Sequence, residues 1–145
     1  MKKLLIAVFG LFSFSALANP CQITVEATDA MQFNTKAITV PASCENFTVE
    51  LKHVGSLPAN AMGHNWVLAE TANFQPVALD AAKAGLANNY VPPGDKRVIA
   101  FTKIIGGGDT TSVTFPTADL KGKDLTYFCS FPGHWAIMKG SLKVE

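Results

Sequence analysis

The chain has 145 residues, 48% of them hydrophobic, which is enough for one domain with a buried core. The formal net charge is +1, and the charged residues are scattered along the chain, so neither a nucleic acid nor an anionic membrane is an expected partner.

The N-terminus has the pattern of a secretory signal peptide over residues 1–18. Two lysines precede an apolar run, and an Ala-x-Ala cleavage pattern ends at Ala18. A membrane anchor is the alternative, but the run is short for a bilayer and Pro20 follows closely. We predict cleavage after Ala18 and a single exported domain over residues 19–145, which is not inserted in a membrane.

Alternating apolar and polar residues predict short β-strands along most of the chain. Residues 22–28 place every second side chain on an apolar face, and residues 46–54 do the same. His53 is in phase with the apolar residues of the second segment, so we predict that it packs inside the domain and does not bind metal. Further strands are predicted at residues 37–40, 65–69, 96–103, 111–115, 125–129 and 141–144.

Residues 70–90 differ from the rest of the chain because they are rich in alanine, and they predict one or two short helical turns. Pro76 and Gly85 are expected to limit the length of these turns. No helical pattern follows the glycines at 106–108, which argues against a phosphate-binding loop. The whole pattern predicts an all-β fold, an antiparallel Greek-key β-sandwich or barrel of about eight strands with a short helical flap near residues 70–90.

The chain contains three cysteines, which is an odd number for an exported protein. Cysteines tend to pair in an oxidising compartment, and Cys21 and Cys44 lie close to the first two strands, so we predict a disulfide between them. Cys129 is then left as a lone thiol, which suggests that it is either buried or bound to a metal.

A short C-terminal segment brings Cys129, His134 and Met138 together with the spacing Cys-x4-His-x3-Met. Two imidazoles and a thiolate with a more distant thioether are the ligand set of blue copper sites. His64 follows Gly63 where a loop enters a strand, and it can supply the second imidazole. The sequence therefore predicts a copper site.

Each of these residues also has a simpler interpretation. Cys129 could be a buried structural thiol, Met138 could fill the core, and His64 could cap a strand. The ligand types favour metal binding for Cys129 and leave Met138 undecided, and zinc is a possible occupant of the same ligands.

Several stretches resemble the blue copper proteins of the cupredoxin family, and among them the azurin type. The matching stretches are residues 31–34, 61–66, 97–100 and 128–134, together with both cysteines of the predicted disulfide. The resemblance covers the mature chain and implies a cupredoxin (plastocyanin-like) copper-binding domain.

The resemblance implies one copper ion and its ligands. His64, Cys129 and His134 would form a trigonal set, and Met138 would be a long axial contact. The backbone carbonyl of Gly63 would lie on the opposite side, because glycine lets the main chain approach a metal closely.

The resemblance also assigns two residues beside the ligands. The backbone N–H groups of Asn65 and Phe131 would bond the sulfur of Cys129, and the side chain of Asn65 would tie the two ligand loops together. Such bonds withdraw charge from the thiolate and tune the potential of the metal.

An apolar patch around His134 is predicted to be a docking surface, although scattered surface hydrophobes are the simpler alternative. The docking patch consists of Met31, Leu57, Met62, Phe131, Pro132, Trp135, Ala136 and Ile137. The resemblance implies an electron carrier in the periplasm of a Gram-negative bacterium, with c-type cytochromes and a periplasmic nitrite reductase as partners. We expect a monomer.

Two other classes of protein compete with an electron carrier. An enzyme with several copper centres needs many more histidines, and only His53 remains once two of the three are ligands. The chain is therefore not predicted to be an enzyme. A copper storage or delivery protein is the alternative, but such proteins use accessible Met or Cys clusters, whereas this site is expected to be buried.

Overall fold

The computed structural model describes residues 19–145, so the predicted signal peptide at residues 1–18 lies outside the described residues. Over this range the chain forms nine strands and two α-helices. The strands are β1 (Gln22–Thr28), β2 (Gln32–Phe33), β3 (Ala37–Val40), β4 (Asn46–His53), β5 (Val67–Glu70), β6 (Val98–Phe101), β7 (Thr110–Pro116), β8 (Leu125–Phe128) and β9 (Lys139–Val144). The helices are α1 (Ala59–Met62) and α2 (Thr71–Ala84), and 3-10 turns lie at Leu86–Asn88, Ala118–Leu120 and His134–Ala136.

The strands form two mixed sheets, and the predicted all-β sandwich is confirmed. One sheet has the order β2-β1-β4-β7 and the other the order β3-β9-β8-β5-β6. The predicted antiparallel pairing is wrong at two places, because β1 pairs with β4 and β3 pairs with β9 in parallel. Side chains alternate with the same period in parallel and antiparallel strands, so the pattern could not distinguish the two arrangements.

The core lies between the sheets and is filled by the apolar faces that the alternation predicted. Its largest side chain is Trp66, which is fully buried and stacks between Phe115 and Tyr127 at ring-centroid distances of 5.8 and 5.6 Å. The predicted disulfide between Cys21 and Cys44 is confirmed, with a sequence separation of 23. A cross-link of this span stabilises the fold by about 3 kcal/mol in the chain-entropy model.

Helix α2 is longer than the one or two turns predicted from the sequence, because it continues through Pro76. Proline removes one backbone hydrogen bond and costs about 3 kcal/mol inside a helix. Burial offsets this cost, since Val77, Ala78 and Ala81 pack the helix onto β5 and β8. The helix ends at Gly85, whose φ of 73° suits glycine.

An ion-pair network fastens the flap, which we define as residues 71–95. The guanidinium of Arg97 lies 2.8 Å from Asp80 in α2 and 2.6 Å from Asp95 in the following turn.

Between residues 19 and 145, no helix has the length and the apolar character that a membrane crossing requires.

Candidate metal centre

Three of the predicted ligand residues meet at one end of the sandwich. The ligand atoms of His64, Cys129 and His134 all lie within 4.8 Å of one another. The sulfur of Cys129 is 3.7 Å from Nδ1 of His64 and 3.6 Å from Nδ1 of His134. His64 and Cys129 are fully buried, and His134 is 4% exposed.

The C-terminal loop is closed by its own backbone hydrogen bonds. Cys129 directly follows β8, and Met138 directly precedes β9. The N–H of Cys129 donates to the carbonyl of Met138 at 3.0 Å, and the N–H of Met138 donates to the carbonyl of His134 at 2.8 Å. Gly133 makes the turn possible with a φ of 83°. Two paired strands therefore hold this loop at its ends.

The segment with His64 is held by a different contact. His64 forms an isolated antiparallel bridge with Ile105, with two backbone hydrogen bonds of 3.0 and 2.9 Å. Gly63 precedes it, and its carbonyl oxygen lies 4.0 Å from the sulfur of Cys129. A side chain at position 63 would collide with the carbonyl oxygen of Ala59 and come within 2.7 Å of Ile104. Only glycine fits here.

Met138 lies where a sulfur ligand is expected, at the end of the same loop. Its side chain is fully buried and belongs to the core cluster that also contains Cys129. This burial is compatible both with a ligand and with core filling, so its metal-binding role stays a prediction.

Hydrogen bonds select one ring nitrogen of His64 for a metal. Its Nε2 lies 2.9 Å from the carbonyl oxygen of Thr28, so Nε2 carries the proton. The lone pair of Nδ1 then faces the sulfur of Cys129. Such a bond from the far nitrogen is the usual way in which a protein orients a ligating histidine.

The charges of the site favour a bound cation. Burial raises the pKa of the Cys129 thiol to about 12, and N–H bonds from Asn65 and Phe131 oppose this rise. Burial lowers the pKa of His64 to about 4 and also lowers that of His134. The imidazoles are therefore neutral and ready to ligate, and a cation can supply the positive charge that a buried thiolate needs.

The donor set fits copper. Imidazole nitrogen and thiolate are ligands for soft or borderline metals, whereas calcium and magnesium prefer oxygen ligands. Across residues 19–145, no second group of three potential metal-binding side chains is found. A single centre at this end of the sandwich is the site that the described residues support.

The side chain of Asn65 joins the two ligand segments by hydrogen bonds. Its Nδ2 donates to Oγ of Ser130 at 2.8 Å, and its Oδ1 accepts from the N–H of Ser130 at 2.8 Å. Because Asn65 follows His64 and Ser130 follows Cys129, this pair of bonds holds the two ligand segments next to each other.

His53 is fully buried, which confirms that it packs inside the domain. Its Nε2 lies 2.9 Å from the carbonyl oxygen of Met62, and its Nδ1 accepts from the N–H of Gly55 at 3.0 Å. Its ring stacks on that of His64 at 4.5 Å. Both nitrogens are engaged by backbone, so His53 supports a ligand and has no free atom for a metal.

The residues of the docking patch differ in exposure. Leu57 and Ile137 are 41% and 51% exposed. Pro132 and Ala136 are also exposed, whereas Met31, Met62 and Phe131 are half-buried. Phe131 packs against His134 with ring centroids 4.5 Å apart.

Trp135 belongs to the predicted docking patch, and the structure places it half-buried against the flap. Its ring lies 6.3 Å from that of Phe74 in α2, in an edge-to-face arrangement. The residue after His134 therefore fastens the C-terminal loop to the helix.

Two residues of the hydrogen-bond network, Asn89 and Tyr90, were not among the residues predicted from the sequence. Both have a positive φ, and their carbonyl oxygens accept from Asn65 and Ser130. Asparagine after a helix stop at Gly85 is a signal for such a conformation, although nothing in the sequence connects it with the metal site.

Comparisons with known proteins agree with this geometry. A family model described as copper-binding proteins of the plastocyanin/azurin family matches residues 19–145. The azurin of Bordetella pertussis is 55% identical over 139 residues, which cover 95% of this chain and 93% of the relative. The azurin of Achromobacter denitrificans is 54% identical over 145 residues, which cover 99% and 97%. A solved structure of an azurin (Az-iso2) from Methylomonas sp. strain J is similar with a TM-score of 0.83 and 55% identity, covering 86% of this chain and 98% of that one.

Proposed function

The chain belongs to the plastocyanin/azurin family of copper-binding proteins, and we propose that it is a periplasmic carrier of single electrons. The observation that carries the proposal is the meeting of two buried imidazoles and a buried thiol within 4.8 Å. When bound there, copper supplies a reversible one-electron couple between Cu(II) and Cu(I).

The proposed ligands are the Nδ1 atoms of His64 and His134 and the sulfur of Cys129. Met138 and the carbonyl oxygen of Gly63 are proposed as weaker contacts. A thiolate and a thioether suit Cu(I), and imidazole suits both oxidation states. This set can therefore hold the metal in both forms without an exchange of ligands.

The protein's contribution to electron transfer is a site that changes little. His64 is held by the carbonyl of Thr28 and the bridge to Ile105, and Asn65 ties it to the segment of Cys129. Burial excludes water from the ligands. Ligands that are already in place need little rearrangement when the charge of the site changes, which favours fast transfer.

His134 is the proposed port for electrons. It is the ligand nearest to solvent, and it packs against Phe131 of the docking patch. Apolar side chains such as Ile137 suit weak and short-lived contacts with a partner, because small interfaces release readily. The proposed partners are c-type cytochromes and a periplasmic nitrite reductase.

A catalytic role is not proposed. A copper enzyme needs an open position for its substrate, whereas the ligands described here are buried. The third histidine, His53, is fully engaged by backbone groups. No part of residues 19–145 offers another cluster for a second metal.

The test is to load the purified protein with Cu(II) and record its absorption and voltammetry. We expect an intense blue colour from charge transfer between thiolate and copper, and a reversible one-electron couple. Cys129→Ser should abolish the colour, and a zinc-loaded sample should be colourless as a matched control.

The alternative, a copper storage or delivery protein, is separated by the rate of metal loss. The proposed carrier retains copper in the presence of a chelator, because its ligands are buried. Rapid transfer of copper to the chelator, with no reversible couple, would contradict the carrier and support delivery. For the location, a periplasmic extract should contain a chain that begins at Asn19.

A further inference from the structure

Two consecutive residues outside the ligand loops adopt a left-handed backbone. Asn89 has a φ of 56° and Tyr90 a φ of 51°, and apart from Met31 they are the non-glycine residues of the described chain with positive φ. Asparagine tolerates this conformation, but it is uncommon for a bulky residue such as tyrosine. An arrangement of this kind persists when surrounding contacts maintain it.

The left-handed pair turns both of its carbonyl groups toward the metal centre. The carbonyl oxygen of Asn89 accepts from Nδ2 of Asn65 at 2.8 Å. The carbonyl oxygen of Tyr90 accepts from Oγ of Ser130 at 2.6 Å. Asn65 and Ser130 are also bonded to each other, so four residues form one closed network.

The side chain of Asn89 reaches a third segment. Its Oδ1 accepts from the N–H of Ile104 at 2.9 Å. The next residue, Ile105, is the partner of His64 in the isolated bridge. Asn89 therefore contacts the residue after His64 and the strand segment that pairs with His64.

The ring of Tyr90 extends the same element to the surface ligand. It packs edge-to-face against Phe131 at 5.2 Å, and Phe131 packs against His134 at 4.5 Å. The pair therefore contacts a neighbour of each proposed side-chain ligand in the trigonal set. These neighbours are Asn65 beside His64, Ser130 beside Cys129, and Phe131 beside His134. The ligand motif did not predict any contact between the flap and the segments that carry the ligands.

From this geometry we propose that Asn89 is a positioning residue for the metal centre. It touches no proposed ligand, and it sets the separation of the two ligand segments through Asn65, Ser130 and Ile104. In this role the flap supports the metal centre, because the turn after α2 supplies the hydrogen-bond acceptors for both ligand segments. These acceptors are the carbonyl oxygens of Asn89 and Tyr90, and Oδ1 of Asn89 accepts from the N–H of Ile104. The copper measurements below rest on the proposed function, whereas the measurement on the metal-free protein does not.

The test compares three variants that differ in one feature each. Asn89→Gly keeps the left-handed backbone and removes the acceptor Oδ1. Asn89→Asp keeps an acceptor at the same place. Asn88→Ala is the matched control, because the side chain of Asn88 bonds the carbonyl of Ala84 within the flap itself at 2.8 Å.

Amide hydrogen exchange in the metal-free protein is the first measurement. In Asn89→Gly we expect exchange of the Ile104 amide to rise roughly tenfold, since its acceptor is lost, and that of Ser130 to rise several-fold. Asn89→Asp and Asn88→Ala should leave both amides close to the wild type. Unchanged exchange at Ile104 and Ser130 in Asn89→Gly would overturn the proposal.

Copper binding is the second measurement. We expect Asn89→Gly to weaken Cu(II) affinity roughly tenfold, as is typical when a support behind a metal ligand is lost, and to change the copper hyperfine splitting in electron paramagnetic resonance. Identical spectra and affinities for Asn89→Gly and Asn88→Ala would also overturn it. A wild-type protein that bound no copper would contradict the proposed function, whereas the exchange measurement would still decide whether Asn89 positions the two segments.

Discussion

The two histidine sides of the metal centre are built in different ways. His64 is fully buried, its Nε2 is bonded to the carbonyl of Thr28, and its ring is stacked on His53. His134 directs the same Nδ1 atom to the sulfur of Cys129, but it lies in a short loop near the surface and packs against the half-buried Phe131. Both imidazoles therefore present Nδ1 to the site, but one ring lies in the core and the other lies near the surface.

This difference separates two tasks. The His64 side is embedded in the core and is held by backbone groups from β1 and from the segment before β7, so it maintains the shape of the site. The His134 side depends on the short loop between β8 and β9, so it can face a partner. Four predictions test this difference, and they follow in order of the expected change in the free energy of unfolding.

Replacement of each histidine by alanine should give unequal losses. His64→Ala should destabilise the metal-free protein by roughly 4 kcal/mol, because it leaves a buried cavity and removes the hydrogen bond from the imidazole to the carbonyl of Thr28. His134→Ala should cost about half as much. Added imidazole should restore the blue colour in the His134 variant, whose gap lies near the surface, and not in the His64 variant. Urea unfolding and absorption spectra measure both effects, and equal losses would remove the distinction between the two sides.

The stability of the metal-free protein should fall with acidification through His64. Its pKa is lowered to about 4 from 6.5, chiefly by burial. The unfolded chain therefore binds more protons than the folded chain between these values, so this contribution is full above pH 6.5 and is lost as the pH falls toward 4. The loss should reach roughly 3 kcal/mol in urea unfolding. His64→Gln should flatten the slope in this window, and a slope as steep as in the wild type would contradict the assignment.

The contact of Trp135 with the flap should stabilise the His134 side alone. Trp135→Ala should cost about 2 kcal/mol, because a half-buried ring loses its packing. The double variant with Phe74→Ala should show a coupling energy of about 1 kcal/mol in a double-mutant cycle. Chemical shifts should change in the C-terminal loop and remain at His64. Changes of equal size at His64 would show that the two sides are not separate.

A charge at the port should change electron exchange and leave stability within about 0.5 kcal/mol, as is usual for exposed positions. Ile137 is 51% exposed, and Ile137→Lys should slow the self-exchange of electrons without a change in the absorption spectrum. Leu79→Lys on α2 is the matched control, since Leu79 is 56% exposed. Self-exchange rates from NMR line broadening measure the effect. Equal rates in both variants would contradict the docking patch.

The sequence alone predicted the parts of the fold that depend on local alternation. β1 and β3 have the predicted bounds, and His53 is buried as its phase in β4 required. The donor types of Cys129 and His134 were also readable, because their spacing is short. These features share one property, which is that neighbouring residues are sufficient to define them.

The features that the sequence did not reveal depend on distant segments. Parallel pairing of β1 with β4 leaves no trace in the alternation of either strand. The passage of α2 through Pro76 depends on packing against β5 and β8, which overrides the local preference. Asn89 bonds Ile104 and Asn65 through contacts that no motif encodes.

The parallel pairing of β3 with β9 has a consequence for the order in which the chain folds. It joins Ala37 to Ser141, so a segment near the beginning of the described domain pairs only when the last strand has been made. Folds that depend on such remote pairings fold slowly, in milliseconds to seconds. Until β9 pairs with β8, the loop that holds Cys129 is fixed at one end only, because Met138 directly precedes β9. The pairing of β9 therefore closes the loop of Cys129 as well as completing the sheet.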